Sequence, residues 1–146
     1  MQNQVKDRLL GYISQNFPEL LSQGADENAA LNIRERVESA MNRFLQAVRE
    51  GHPPYIAEEF CIQELAEGLG PSRFQYVLSL LEEEFPVEYE SFHKAGILTW
   101  EVLNMLKACQ QVFDELEFSF ETEGQRPIRY AIIAQVHDYL TGYSVE

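Results

Sequence analysis

Residues 32–54 read NIRERVESAMNRFLQAVREGHPP. Ile33, Val37, Ala40, Met41, Phe44, Leu45 and Val48 recur at steps of three and four, and Arg34, Arg36, Glu38, Arg43 and Glu50 lie off that stripe. Residues spaced this way share one side of a 3.6-residue helix, so the stretch predicts a surface helix of about six turns with one buried face. Gly51 stops it, because a glycine accepts the left-handed conformation that ends helices, and Pro53-Pro54 prevents its resumption.

The same logic extends in both directions. Upstream, Val5, Leu9, Tyr12, Ile13 and Phe17 form a stripe that ends at Pro18. The polar loop SQGADEN follows, with Gly24 as breaker and Asp26 as a candidate N-cap. Downstream, Ile56, Ala57, Phe60, Cys61, Leu65 and Leu69 make a third helix that closes at Gly68 and Gly70. Ser72 is a good N-cap for a fourth, through Phe74, Val77, Leu78, Leu81 and Phe85, which Pro86 breaks. VEYESFHKAG reads as a short helix or turn. Thr99 is a candidate cap for a helix through Val102, Leu103, Leu106, Cys109 (or Ala108), Val112 and Phe113. Pro127 suits the first turn of a last helix, with Tyr130, Ala131, Ile133, Ala134, His137 and Leu140 on or near its inner face.

One stretch breaks the helical period. In ELEFSFE, residues 115–121, Leu116, Phe118 and Phe120 alternate with Glu115, Glu117, Ser119 and Glu121, which is a strand signal. A lone strand has no ladder partner unless a second copy of the chain supplies one, so an extended connector competes with a strand or a helix extension. The expectation is an all-α fold: one domain over residues 1–146, an irregular orthogonal bundle of five or six helices, with a short extended segment near 115–121.

Length and composition bound the rest. A chain of 146 residues buries a sizeable core without disulfides, and a hydrophobic share of 45% excludes a disordered chain. No apolar run approaches the roughly 20 residues that cross a bilayer. MQNQVKDRLLGYI lacks the basic and apolar regions of a signal peptide, and Cys61 and Cys109 stand alone, so a reducing, cytoplasmic setting is expected. The net charge of −13 is unevenly spread: residues 1–50 carry six basic and seven acidic side chains, residues 51–96 two and nine, and residues 97–146 three and eight. Such a surface repels phosphate backbones. It serves solubility, faces a basic partner, or imitates nucleic acid at a binding protein.

Chemistry-bearing residues do not assemble into a recognisable motif. In GHPPYIAEEFC, residues 51–61, a histidine, two glutamates and a cysteine invite a metal reading. Cys61 instead shares the buried face with Ala57, while Glu58 and Glu59 point to solvent near the positive end of the helix, so the stretch is a helix boundary. Glu90 and His93 form a Glu-x-x-His, but the second copy that a di-iron bundle needs is missing at His52 and His137. GLGPS at 68–72 lies between helices rather than after a strand, unlike a dinucleotide fingerprint. No nucleophile elbow, zinc spacing or calcium loop occurs. His137 and Asp138 are adjacent on a helix and so point apart, with His137 expected at the edge of the core. No catalytic, cofactor-binding or metal-ligating residue is assigned, and no cofactor is expected. Aromatics with one wet end favour interfaces; Trp100, Tyr76, Tyr89, Phe92, Tyr139 and Tyr143 qualify, and Glu82, Glu83 and Glu84 form an acidic run. Trp100, Tyr89, Phe92, Glu82, Glu83 and Glu84 are therefore the candidate interaction surface.

From Glu50 to Pro86 a further pattern emerges: a Gly-x-Pro turn at 51–53, a helix start marked by Ala57, Glu59 and Cys61, a closing Gly68-Leu69, a Ser-x-aromatic opening at Ser72 and Phe74, and a final Glu84-Phe85. This order resembles the central block of a bacterial all-helical family of unknown function, whose members occur among conjugative-transposon genes of gut and mouth anaerobes. The opening leucine-rich helix and the terminal helix before HDYL fit it too; Gly70-Pro71 and Cys61 depart from it. The resemblance implies a helical domain and brings no active site. The function that follows is a non-enzymatic interaction or accessory protein, linked to a mobile element, with another protein, of basic character, as partner. No nucleic acid or membrane is expected, and a homodimer is a candidate. The alternatives are an acidic DNA mimic that inhibits a nucleic-acid-binding protein, and a helical small-ligand binder or enzyme with a scattered site.

Overall fold

The computed structural model describes residues 2–21 and 27–145, with side chains at 3–21 and 30–142. Its elements are α1 (Gln2–Asn16), a 3-10 turn (Pro18–Leu20), α2 (Glu27–Arg49), α3 (Pro54–Leu69), α4 (Arg73–Glu84), α5 (Pro86–Ala95), α6 (Leu98–Glu115) and α7 (Arg126–Val145). The fold is all-α, as expected, with seven α-helices rather than five or six and no strand among the described residues. The break at Gly24 and the Asp26 cap lie outside the described residues, as does the side chain of Tyr143.

Helix boundaries follow the local chemistry. Gly51 adopts φ +94°, which lets its own N–H reach the Val48 carbonyl (3.0 Å) and the His52 N–H reach that of Ala47 (3.1 Å), satisfying carbonyls that the end of α2 leaves open. Pro54 then occupies the first turn of α3, where a missing N–H costs nothing. Ser72 caps α4 by accepting from the Gln75 N–H at 2.9 Å. The stretch from Pro86 is a full helix, α5, closed by Gly96 in the left-handed region. Thr99 is not a cap: α6 begins at Leu98, with Ile97 at the N-cap position and no side-chain bond there.

Contacts divide the chain into two compact units, Met1–Gly70 and Pro71–Glu146. In the first, α1 buries Val5, Leu9 and Ile13, Phe17 follows just after its end, α2 buries Ile33, Val37, Ala40, Phe44 and Ala47, and α3 buries Ala57, Cys61 and Leu65. Ala40, Ala47 and Ala57 are fully buried and small, so α2 and α3 pack closely along their lengths. Ala47 takes the inner place expected of Val48, which is 37% exposed. In the second unit α4 contributes Phe74, Val77, Leu80 and Leu81, α5 Phe92, α6 Val102, Met105, Leu106, Cys109 and Phe113, and α7 Ile128, Ile132, Val136 and Leu140.

Two sequence expectations in this second unit are corrected. The inner face of α7 is a strict four-residue ladder from Ile128, so Tyr130, Ala134 and His137 are exposed. The segment 115–121 is not extended: α6 runs to Glu115 and the chain then winds through turns to Gly124. The Phe118 N–H bonds back to the Phe113 carbonyl (3.0 Å) and the Glu117 N–H to that of Asp114 (3.2 Å), with Glu117 left-handed at φ +53°. Of the three alternating apolar side chains only Phe118 turns in, stacking edgewise on Tyr76 (5.0 Å) and against Phe113 (4.8 Å), while Leu116 and Phe120 stay exposed.

Candidate interaction surface

The acidic run closes α4. Glu83 and Glu84 each accept a hydrogen bond from the Arg129 guanidinium on α7, at 2.8 and 2.9 Å, and these bonds, Glu84 first, raise the arginine's pKa. Carboxylates at a helix C-terminus oppose the helix dipole, and Arg129 offsets that. Glu82 is exposed beside them.

Trp100 stands 59% exposed in the first turn of α6. Its neighbour Glu101 is the one fully buried acidic residue among those described. Glu101 Oε2 accepts a hydrogen bond from the Tyr139 hydroxyl of α7 (3.1 Å), while Oε1 is buried without a partner. The glutamate lies on the line Glu101–Met105–Cys109–Phe113, spaced by four, so extending that apolar ladder one step backwards is the sequence signal that finds it.

Arg129 and Tyr139 thus fasten two different ends of α7. Ten residues of helix separate them, about 15 Å along the axis at 1.5 Å per residue. Glu82–Glu84 and Trp100 are therefore not one contiguous patch. Tyr89 is half-buried with its ring stacked parallel to His93 (6.3 Å between centroids), and Phe92 is only 7% exposed. Phe92 is core, not surface, because it lies on the inward side of a ten-residue helix packed on both α4 and α6.

The residues that suggested a metal or a nucleophile stay apart. Cys61 lies in the core of the first unit and its thiol is pushed up to about 11, mainly by burial and then by the Glu58 charge. Cys109 lies in the other core and burial pushes it up to about 12. Glu58 and Glu59 lie past the first turn of α3 and meet Arg8 of α1, both at 3.2 Å; that pairing, rather than the helix dipole, holds them. His52 packs edge-on against Phe60 (5.1 Å). Glu90 pairs with Lys94 at 3.5 Å, not with His93. His137 and Asp138, both exposed, do approach to 3.8 Å, too long for a hydrogen bond. Gly68 leaves room for a guanidinium, since a Cβ there would lie 2.6 Å from Arg36 Nη1; this is packing, not a phosphate loop. Among the described residues no group of three metal-binding side chains converges, and no helix is long and apolar enough to cross a membrane.

Residues 4–142 match the family described as "Domain of unknown function (DUF1896)". The chain belongs to that family. The DUF1896 chain also shares its fold with the crystal structure of protein PG0816 from Porphyromonas gingivalis, with a TM-score of 0.68 and 23% identity over 99% of this chain and 91% of that chain. No curated protein matches it. The all-helical family of unknown function that the sequence resembles is thus the right kind of family, and DUF1896 assigns no chemistry to any of the residues above.

Proposed function

We propose that this DUF1896 chain is a non-enzymatic, cytoplasmic interaction protein that engages a basic protein partner through its second unit. The observation that carries the reading is Trp100, 59% exposed on the first turn of α6 in a chain of net charge −13. Tryptophan is enriched among the few residues that carry most of the energy of a protein–protein contact. Two buried, unreactive thiols and three histidines on separate helices or turns support the non-enzymatic part. The resemblance to a family whose members occur among conjugative-transposon genes supports an accessory role in a mobile element. Copurification of the full chain from its host tests this: one protein should come down repeatedly, and Trp100→Ala or neutralisation of Glu82, Glu83 and Glu84 to glutamine should weaken its recovery. Equal recovery with every variant would refute this surface. The same charge supports a second reading, a DNA mimic, which predicts that DNA displaces the chain from its partner and that salt weakens the complex steeply.

A further inference from the structure

We infer that the basic partner also docks on the α6–α7 turn, residues 116–125, at the opposite end of α6 from Trp100, with Leu116 and Phe120 as the apolar anchors; this rests on the interaction reading above and adds a second contact to it. The occupant is a lysine- or arginine-rich segment of another protein that carries large apolar side chains.

Three observations converge on this turn. First, Leu116 is 38% and Phe120 52% exposed, although Phe118 between them is drawn inward onto Tyr76 and Phe113. The anchored ring fixes the segment and leaves the other two side chains facing water. Second, the turn is tied internally. The Ser119 N–H donates to Thr122 Oγ1 (2.8 Å), Thr122 Oγ1 donates to the Glu117 carbonyl (2.8 Å), and the Glu123 and Gln125 N–H groups bond to the carbonyls of Ser119 and Thr122 (both 2.9 Å). A surface already ordered loses little conformational freedom when it binds. Third, Glu115, Glu117, Glu121 and Glu123 flank the two apolar side chains in sequence and are all exposed, Arg126 is the nearest basic residue in sequence, and Arg73 beside the turn is already paired with Asp114 at 2.9 Å. Glu115 accepts from neutral Gln111 (2.8 Å), and Arg129 pairs with Glu83 and Glu84 of α4.

Charge selects the occupant. A second copy of a chain with net charge −13 would set carboxylates against carboxylates, and a phosphate backbone would be repelled in the same way. A cationic amphipathic segment instead covers Leu116 and Phe120 and neutralises the surrounding glutamates.

The test is a titration of the isotope-labelled full chain with a synthetic amphipathic lysine–leucine peptide, followed by amide shifts. The largest shifts should fall within 115–125. Phe120→Ala, which leaves the core untouched, should weaken the peptide about tenfold, as loss of a central aromatic anchor does. Asp138→Asn, exposed on α7 thirteen residues or about 20 Å of helix beyond the turn, should leave affinity within twofold, because only local charge should matter. Shifts centred on Trp100, with binding lost in Trp100→Ala and kept in Phe120→Ala, would overturn the turn as the site while sparing the interaction reading. Equal weakening by Asp138→Asn would show general charge attraction and overturn the site as well. No binding at all would count against both.

Discussion

At the scale of single residues, the second unit turns on a carboxyl that apolar periodicity would fill with leucine. Glu101 is fully buried, with one oxygen on the Tyr139 hydroxyl and the other unpaired. Removing the donor leaves both oxygens buried and unsatisfied, whereas removing the acid along with it leaves nothing to satisfy. Tyr139→Phe should therefore lower the unfolding free energy by about 1–3 kcal/mol in the native background, and by less than about 1 kcal/mol once Glu101→Leu is in place. Chemical denaturation of the four proteins measures this; an equal cost in both backgrounds would mean that the two side chains are not coupled. Trp100 was legible as an aromatic suited to a position with one wet end; the structure leaves it 59% exposed. Phe92 was legible only as an aromatic, because nothing in ESFHK tells which side of a short helix meets two neighbours.

At the scale of elements, backbone geometry at two turns makes opposite predictions. Gly96 closes α5 at φ +74° with nothing within 4 Å of where a Cβ would sit, so Gly96→Ala carries only backbone strain, about 1 kcal/mol. Glu117 bears that same strain natively at φ +53°, so Glu117→Gly should raise stability by up to about 1 kcal/mol. Thermal melts should move down for the first and up for the second; shifts of the same sign would sink this account. The helix starts and stops at Gly51, Pro54, Ser72 and Pro86 were readable because each is decided by its own backbone chemistry. The turn at 116–125 was not, since period-two alternation marks both a strand and a turn whose middle ring is pulled inward by Tyr76, more than forty residues away in sequence.

Over the whole molecule, each unit has its own buried cluster and each cluster holds one thiol, Cys61 or Cys109. Both thiols are raised above the ordinary value of 9.0, to about 11 and about 12. An acid whose folded pKa is raised holds its proton where the unfolded chain has lost it, so its contribution to stability is complete below pH 9 and falls away as pH climbs towards 11 and 12. Stability measured across that window should fall less steeply in Cys109→Ala than in the parent chain, and native thiols should resist alkylation until the chain is unfolded. Parallel pH profiles for the two proteins would show that the buried thiol does not contribute.

The amino-acid sequence by itself determined the all-α class, the helix starts and stops at Gly51, Pro54, Ser72 and Pro86, the acidic character and the burial of both cysteines, since these depend on local propensity and on periodicity within about four residues. Only the tertiary structure decided which side of α7 faces inward, that Glu101 is buried against Tyr139, that Arg129 gathers Glu83 and Glu84, and that Trp100 stands apart from them. Those facts depend on which helix packs against which, and a partner lying 38 or 45 residues away in sequence leaves no mark in local spacing.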